Sequence, residues 1–199
     1  EHLCYYTLRS IERLFEIHGL EVLSVNLQSV HGGSLEVHVA KKGCRKPDAT
    51  VANWKRMEAE KKYGEFATYQ KFAADVWRMR DELRTLLETY RTQGKSVYAY
   101  GAPAKGSTLL NSFGVTPETC QLAVEKNPMK VGYWVPGVRI PIVEETAAAK
   151  PDAYLVLAWN FIDEFVANPT NIAFMQGGGE FIVPVPSVKV LGASGARTV

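Results

Sequence analysis

Residues 96–113 read Ser-Val-Tyr-Ala-Tyr-Gly-Ala-Pro-Ala-Lys-Gly-Ser-Thr-Leu-Leu-Asn-Ser-Phe. The β-branched and aromatic residues of Ser96 to Tyr100 predict a short strand, which Gly101 and Pro103 stop abruptly. Gly106 then frees the backbone, Ser107 and Thr108 are suited to capping, and Leu109, Leu110 and Phe113 supply an apolar helical face. The order is therefore strand, glycine-containing loop, helix. Unpaired backbone N–H groups and the helix dipole make such a helix N-terminus a docking point for phosphate, and Lys105 adds a full charge. Only Gly101 and Gly106 are present, so the spacing is not the dinucleotide fingerprint. Gly106-Ser107 is not the Gly-Lys-Ser/Thr of a P-loop either. An ordinary strand-to-helix turn is the other reading of the same residues.

Downstream, a second apolar run, Gln121 to Val124, ends in Glu125-Lys126-Asn127-Pro128. A breaker-rich loop from Lys130 to Gly137 leads to Ile140-Pro141-Ile142. The alanine-rich Glu144 to Ala149 predicts a short helix, and Pro151 precedes a strand over Ala153 to Ala158. Phe161 to Met175 predicts a further helix, interrupted near Pro169; Gly177 to Gly179 turns the chain, and Phe181 to Val185 reads as the last core strand. Alternation of this kind implies a small parallel sheet with helices on both faces, whose ligands sit at the carboxyl ends of the strands. Tyr100 to Ser107, Glu125 to Gly137 and Trp159-Asn160 all fall at such ends. Basic Lys105, Lys130 and Arg139, polar Ser107, Asn111, Asn127 and Asn160, and flat Tyr100, Tyr133 and Trp134 suit a phosphorylated ligand containing a ring. A nucleophilic triad does not fit, because no Gly-x-Ser-x-Gly elbow occurs and all four histidines, His2, His18, His31 and His38, lie in the opening segment.

Upstream, Tyr6 to Gly19 places Leu8, Ile11, Leu14 and Phe15 at helical spacing, and Gly19 is a natural stop. Strand patterns over Leu20 to Val30 and Ser34 to Ala40 meet at His31-Gly32-Gly33 as an antiparallel hairpin. A helix and a hairpin cannot close a core, so residues 1–42 read as the tail of a larger domain. The basic, polar stretch from Lys41 to Asp48 reads as a linker and Asn53 to Lys62 as a short charged helix. A long amphipathic helix from Phe66 to Tyr90 then ends at Gln93-Gly94. The whole is an α/β chain of 199 residues, 46% hydrophobic, with 23 basic and 21 acidic residues for a net charge of +2. Those charges are interspersed, so no nucleic-acid stripe is expected. With no apolar run of about eighteen residues for a membrane span and no signal-peptide pattern, a soluble, cytoplasmic protein is expected. Cys4, Cys44 and Cys120 are too few and too scattered for a disulfide framework or a four-ligand metal site.

Several runs together resemble the C-terminal part of S-adenosylmethionine-dependent sugar C-methyltransferases. They are Glu1-His2 with Tyr5-Tyr6, Leu14-Phe15-Glu16 with His18-Gly19-Leu20-Glu21-Val22, and His31-Gly32-Gly33-Ser34-Leu35. Tyr100-Gly101-Ala102-Pro103-Ala104-Lys105-Gly106, Asn127-Pro128 with Lys130 and Gly132-Tyr133, Pro136-Gly137 with Ile140-Pro141-Ile142, and Leu157-Ala158-Trp159-Asn160 follow in the family's order.

The resemblance implies a three-part enzyme: a zinc-holding module, a central domain binding S-adenosylmethionine, and a C-terminal Rossmann-like domain that helps hold a nucleotide-diphosphate sugar. On that basis residues 1–42 are the tail of the central methyltransferase domain, 43–95 a linker and long helix, and 96–199 the substrate-binding domain. The zinc module and the donor site would lie upstream, in the domain this chain partners, and no metal ligand falls within it. The implied reaction removes a proton from a carbon next to the sugar's keto group, and the enolate attacks the donor methyl. The resemblance gives His2 the role of base and Glu1 that of its orienting partner; a histidine titrates near neutral pH without large perturbation. Tyr100, Gly101, Lys105, Gly106, Ser107, Asn127, Lys130, Tyr133 and Asn160 are the expected substrate-binding residues, with Lys105 and the Gly106 and Ser107 amides on the diphosphate. The family usually has Asp at Glu125, Gln at Val131 and His at Arg139, which bears on the sugar that is held. A binding module without chemistry and a scaffold domain whose sheet edge binds nothing stay open.

Overall fold

A computed structural model describes residues 4–30 and 33–199. Glu1, His2, His31 and Gly32 lie outside the described residues, and with them the expected base, its partner and the centre of the hairpin turn. The chain forms two compact units, Glu1–Ala74 and Asp75–Val199.

In the first unit, α1 (Leu8–Ile17) starts at Thr7, whose side chain accepts from the Ser10 amide, and Gly19 turns the chain at φ +68° into β1 (Leu20–Gln28). β1 pairs antiparallel with β2 (Ser34–Lys41). The expected linker helix differs from what forms: α2 (Ala49–Glu60) opens earlier, capped by Asp48, and belongs to this unit. Its Val51 joins Leu8, Val22 and Val25 in the core, with Trp54 packed alongside. The buried Glu58 carboxylate accepts from the Leu8 amide at 2.5 Å and the Arg9 amide at 3.2 Å. Those are two of the N–H groups that a helix start leaves without partners. The unit boundary falls inside α3 (Phe66–Thr92).

The second unit is the α/β sheet. Its strands are β3 (Val97–Tyr100), β4 (Leu122–Glu125), β5 (Ile142–Glu144), β6 (Ala153–Val156), β7 (Glu180–Val183), β8 (Lys189–Gly192) and β9 (Gly195–Thr198). They lie in the order β5-β4-β3-β6-β7-β8-β9; the first five are parallel, and β8 and β9 are antiparallel to their neighbours. Sequence order reverses between β3 and β6, the switch point at which open α/β sheets take ligands. Side chains alternate between the faces. Val97, Ala99, Ala153, Leu155 and Ile182 share one core with Leu83, Leu86 and Leu87 of α3 and with Leu109, Leu110 and Phe113 of α4 (Ala104–Phe113). Tyr100, Tyr154, Val156 and Phe181 form the other with Phe174 of α6 (Pro169–Gln176), and Ile162 and Phe165 of α5 (Ile162–Ala167) pack against it. Cys120 is a free thiol with no exposed surface, and burial pushes its pKa up to about 12.

Three expectations for this unit need correction. Glu144 to Ala149 is not helical: Ile142 to Glu144 is β5, and Glu145 continues alongside β4, its amide donating to the Glu125 carbonyl at 3.2 Å. Six residues are too few to nucleate a helix against such a competitor. The sheet does not end at Val185, since β8 and β9 extend it. The helix after β3 starts at Ala104 with Pro103 as its N-cap, so Ser107 and Thr108 lie inside it and cap nothing. Pro at this end already lacks an N–H and holds a helix-compatible φ.

Candidate functional site

The carboxyl ends of β3, β4 and β6 meet at one edge through specific contacts. After Tyr100 the chain turns at Gly101 (φ +81°), a conformation that favours glycine. The Gly101 amide donates to the Val124 carbonyl at 2.9 Å, and the Leu157 amide donates to the Tyr100 carbonyl at 3.3 Å. From β4, Glu125 reaches back to this loop. One carboxylate oxygen accepts from the Ala102 amide (3.1 Å) and the Lys130 ammonium (3.3 Å), the other from the Lys126 (2.9 Å) and Asn127 (3.2 Å) amides. Lys130 donates as well to the Ala102 carbonyl at 3.0 Å. Burial pushes the Glu125 carboxyl up, but the Asn127, Ala102 and Lys126 amides and the Lys130 charge outweigh it, leaving the group below its ordinary value. The later part of the loop after β4 is fastened to α4: Asn111 donates to the Ser107 carbonyl at 2.7 Å and to the Pro136 carbonyl at 2.9 Å.

Lys105 bridges to the third loop. Its ammonium lies 4.6 Å from the centre of the Trp159 ring, in the one-turn 3-10 helix Trp159–Phe161 that follows β6. Among the described residues no carboxylate lies within ion-pairing distance of it, and burial pulls its pKa down. A cation over an indole face is attracted by the ring quadrupole, so Trp159 steadies the charge without neutralising it. Beside it, the amides of Ala104 and Lys105 precede the first hydrogen bond of α4 and have no partner within the helix.

The expected ligand residues divide. Lys105 and Gly101 are at the edge, and exposed Asn160 follows Trp159 in the 3-10 turn. The Gly106 and Ser107 amides are taken by the Pro103 carbonyl at 2.9 and 3.2 Å, so they do not face a ligand as expected; the free amides are those of Ala104 and Lys105, immediately before them. Gly106 is buried, and a Cβ there would come within 2.8 Å of Leu157. Tyr100 is in the core, its ring edge-on to Tyr154, Phe165 and Phe181 and its hydroxyl donating to Glu145 at 3.1 Å. It therefore presents no flat surface to the edge. Lys130 is engaged by Glu125 and Ala102, and Asn127 closes its own turn by accepting from the Met129 amide at 3.0 Å. Tyr133 is 67% exposed and Trp134 61%, on the loop before β5. Glu125 and Trp159 are the residues whose roles sequence reasoning missed; an acid ending a strand is the available signal for the first.

Folds of this topology keep an acid for ribose hydroxyls about twenty residues beyond the first loop glycine, and Glu125 stands there with both oxygens occupied by its own loops. Among the described residues no three His, Cys, Asp or Glu side chains gather to hold a metal ion, and no helix is long and apolar enough to cross a membrane.

Comparison with known proteins agrees with this architecture. A family model described as the C-methyltransferase C-terminal domain matches residues 29–186. The C-methyltransferase NovU of Streptomyces niveus is 38% identical over 196 residues, which cover 97% of this chain and 46% of that protein. The chain thus spans about half the length of the curated relative it matches.

Proposed function

The chain belongs to the C-methyltransferase C-terminal domain family, and from that membership we propose that its second unit binds the diphosphate of a nucleotide-linked keto sugar in an enzyme methylating the carbon next to the ketone. S-adenosylmethionine is the proposed donor, held outside the residues described, so no step through it is assigned to this chain. His2 is the proposed base that takes the proton from that carbon, with Glu1 orienting it.

The observation that carries the reading is Lys105. Among the described residues it has no carboxylate partner, and it lies over Trp159 beside the free amides of α4, at the point where strand order reverses. Such a corner matches a diphosphate, which needs a charge and several N–H donors together. Calorimetric titration of the 199-residue chain with thymidine diphosphate and uridine diphosphate tests it. One of them should bind at a single site, and Lys105→Ala should weaken that binding by about 1.5 to 3 kcal/mol, roughly tenfold to a hundredfold. Absence of binding by both diphosphates, or binding indifferent to Lys105, would overturn the assignment and leave a scaffold domain.

A further inference from the structure

We propose that Glu125 is a positioning residue of this site, clasping the loop between β3 and α4 so that Lys105 and the first amides of α4 stand where a diphosphate meets them. The inference rests on the diphosphate reading of the same edge.

The loop Gly101–Pro103 has little to hold it from within. Gly101 is the most permissive residue, Pro103 has no N–H to donate, and α4 starts without a side-chain cap. The hold comes from the neighbouring strand. Glu125 accepts the Ala102 N–H while its ion-pair partner Lys130 donates to the Ala102 carbonyl, so both polar groups of that residue are gripped by one charged pair. The remaining oxygen of Glu125 ties down the Lys126 and Asn127 amides, which keeps the pair anchored to the end of β4. Only Pro103 separates Ala102 from the first residue of α4, so a shift of the loop is a shift of Lys105 relative to Trp159. The clasp also pairs the Lys130 charge with a carboxylate, whereas Lys105 has no carboxylate within ion-pairing distance among the described residues.

Two readouts test this on the 199-residue chain. Hydrogen exchange needs no ligand: in Glu125→Gln, whose amide can present NH2 to the donors it should accept, the Ala102 amide should exchange about tenfold faster or more, with the β6 amides unchanged. Calorimetry with thymidine diphosphate and uridine diphosphate reads the consequence. Glu125→Gln should weaken whichever binds by about tenfold, and Glu125→Asp should recover part of the loss. Lys105→Ala with Glu125→Gln should be weaker than Lys105→Ala alone by less than the factor Glu125→Gln costs the parent, because residues acting through one another do not add and only the α4 amides are left for the clasp to place. Unchanged Ala102 exchange in Glu125→Gln overturns the clasp whatever the ligand does. Affinity losses that multiply in the double variant show Glu125 acting independently of Lys105 and overturn it too. Parental failure to bind either diphosphate, with faster Ala102 exchange in the variant, overturns the diphosphate reading and the positioning role while leaving the clasp as a structural device. If Glu125→Gln does not fold, Lys130→Met removes one end of the grip and is judged by the same non-additivity.

Discussion

A single absent methyl group at Gly106 sets how closely α4 can approach β6. A Cβ there would lie 2.8 Å from the Leu157 Cβ and 2.9 Å from its Cδ1, closer than side chains tolerate. Gly106→Ala should therefore destabilise the chain, overpacking of about 1 to 3 kcal/mol being offset in part by the roughly 1 kcal/mol by which Ala favours a helix. Denaturant midpoints of the two proteins measure it, and a midpoint that stays or rises would show that Leu157 repacks freely. In the sequence, a glycine following a lysine near a helix start has the same appearance whether it admits a phosphate or a neighbouring leucine. Lys130 is the parallel case: nothing in its local sequence announces that the charge belongs to Glu125. The position of Lys105 was legible because strand, loop and helix order alone places it at a strand's carboxyl end.

At the level of elements, the apolar runs of β3, β6 and β7 were readable because those strands are buried along nearly their whole length. The apolar stripe of α3 was readable as a helix although only its second half, Leu83 to Tyr90, is buried while Phe66, Tyr69 and Phe72 are exposed. β9 was not, since Gly195 to Thr198 are all exposed and carry no alternation to detect. The start of α2 was not readable, because charged residues crowd its second half and only Val51 and Trp54 mark the face that packs with Leu8, Val22 and Val25. Buried tyrosines of the sheet and of α3 give the elements a pH limit. Burial foremost, then the charges of Glu145, Tyr100 and Tyr98, push Tyr154 up to about 12, and burial raises Tyr90 and Tyr100 as well. An unfolded chain ionises its tyrosines at about pH 10. The stability linked to Tyr154 is thus complete below about pH 10 and lost as the pH climbs from there through its folded value. Urea unfolding followed across that alkaline range should show a falling free energy, with a shallower slope in Tyr154→Phe. An identical slope in the variant would remove Tyr154 as a source of the alkaline loss.

Across the whole molecule, the family match at residues 29–186 begins in the first unit and ends in the second, so the unit that carries the sheet is not by itself the inherited segment. The three thiols are divided between the units by environment: Cys4 and Cys44 are exposed in the first, and Cys120 is enclosed in the second. Thiolate is the reactive form, and Cys120 is kept from forming it as well as from meeting a reagent. In neutral buffer, iodoacetamide should add to Cys4 and Cys44 within the time an open thiol needs, and mass spectrometry should find the third adduct only after denaturant is added. Prompt modification of all three would contradict the enclosure. The slow adduct has a use of its own: its rate at Cys120 is a clock of how often the sheet unit opens, wound without changing a residue of the chain, and any ligand that closes the edge above β3 should make it run slower.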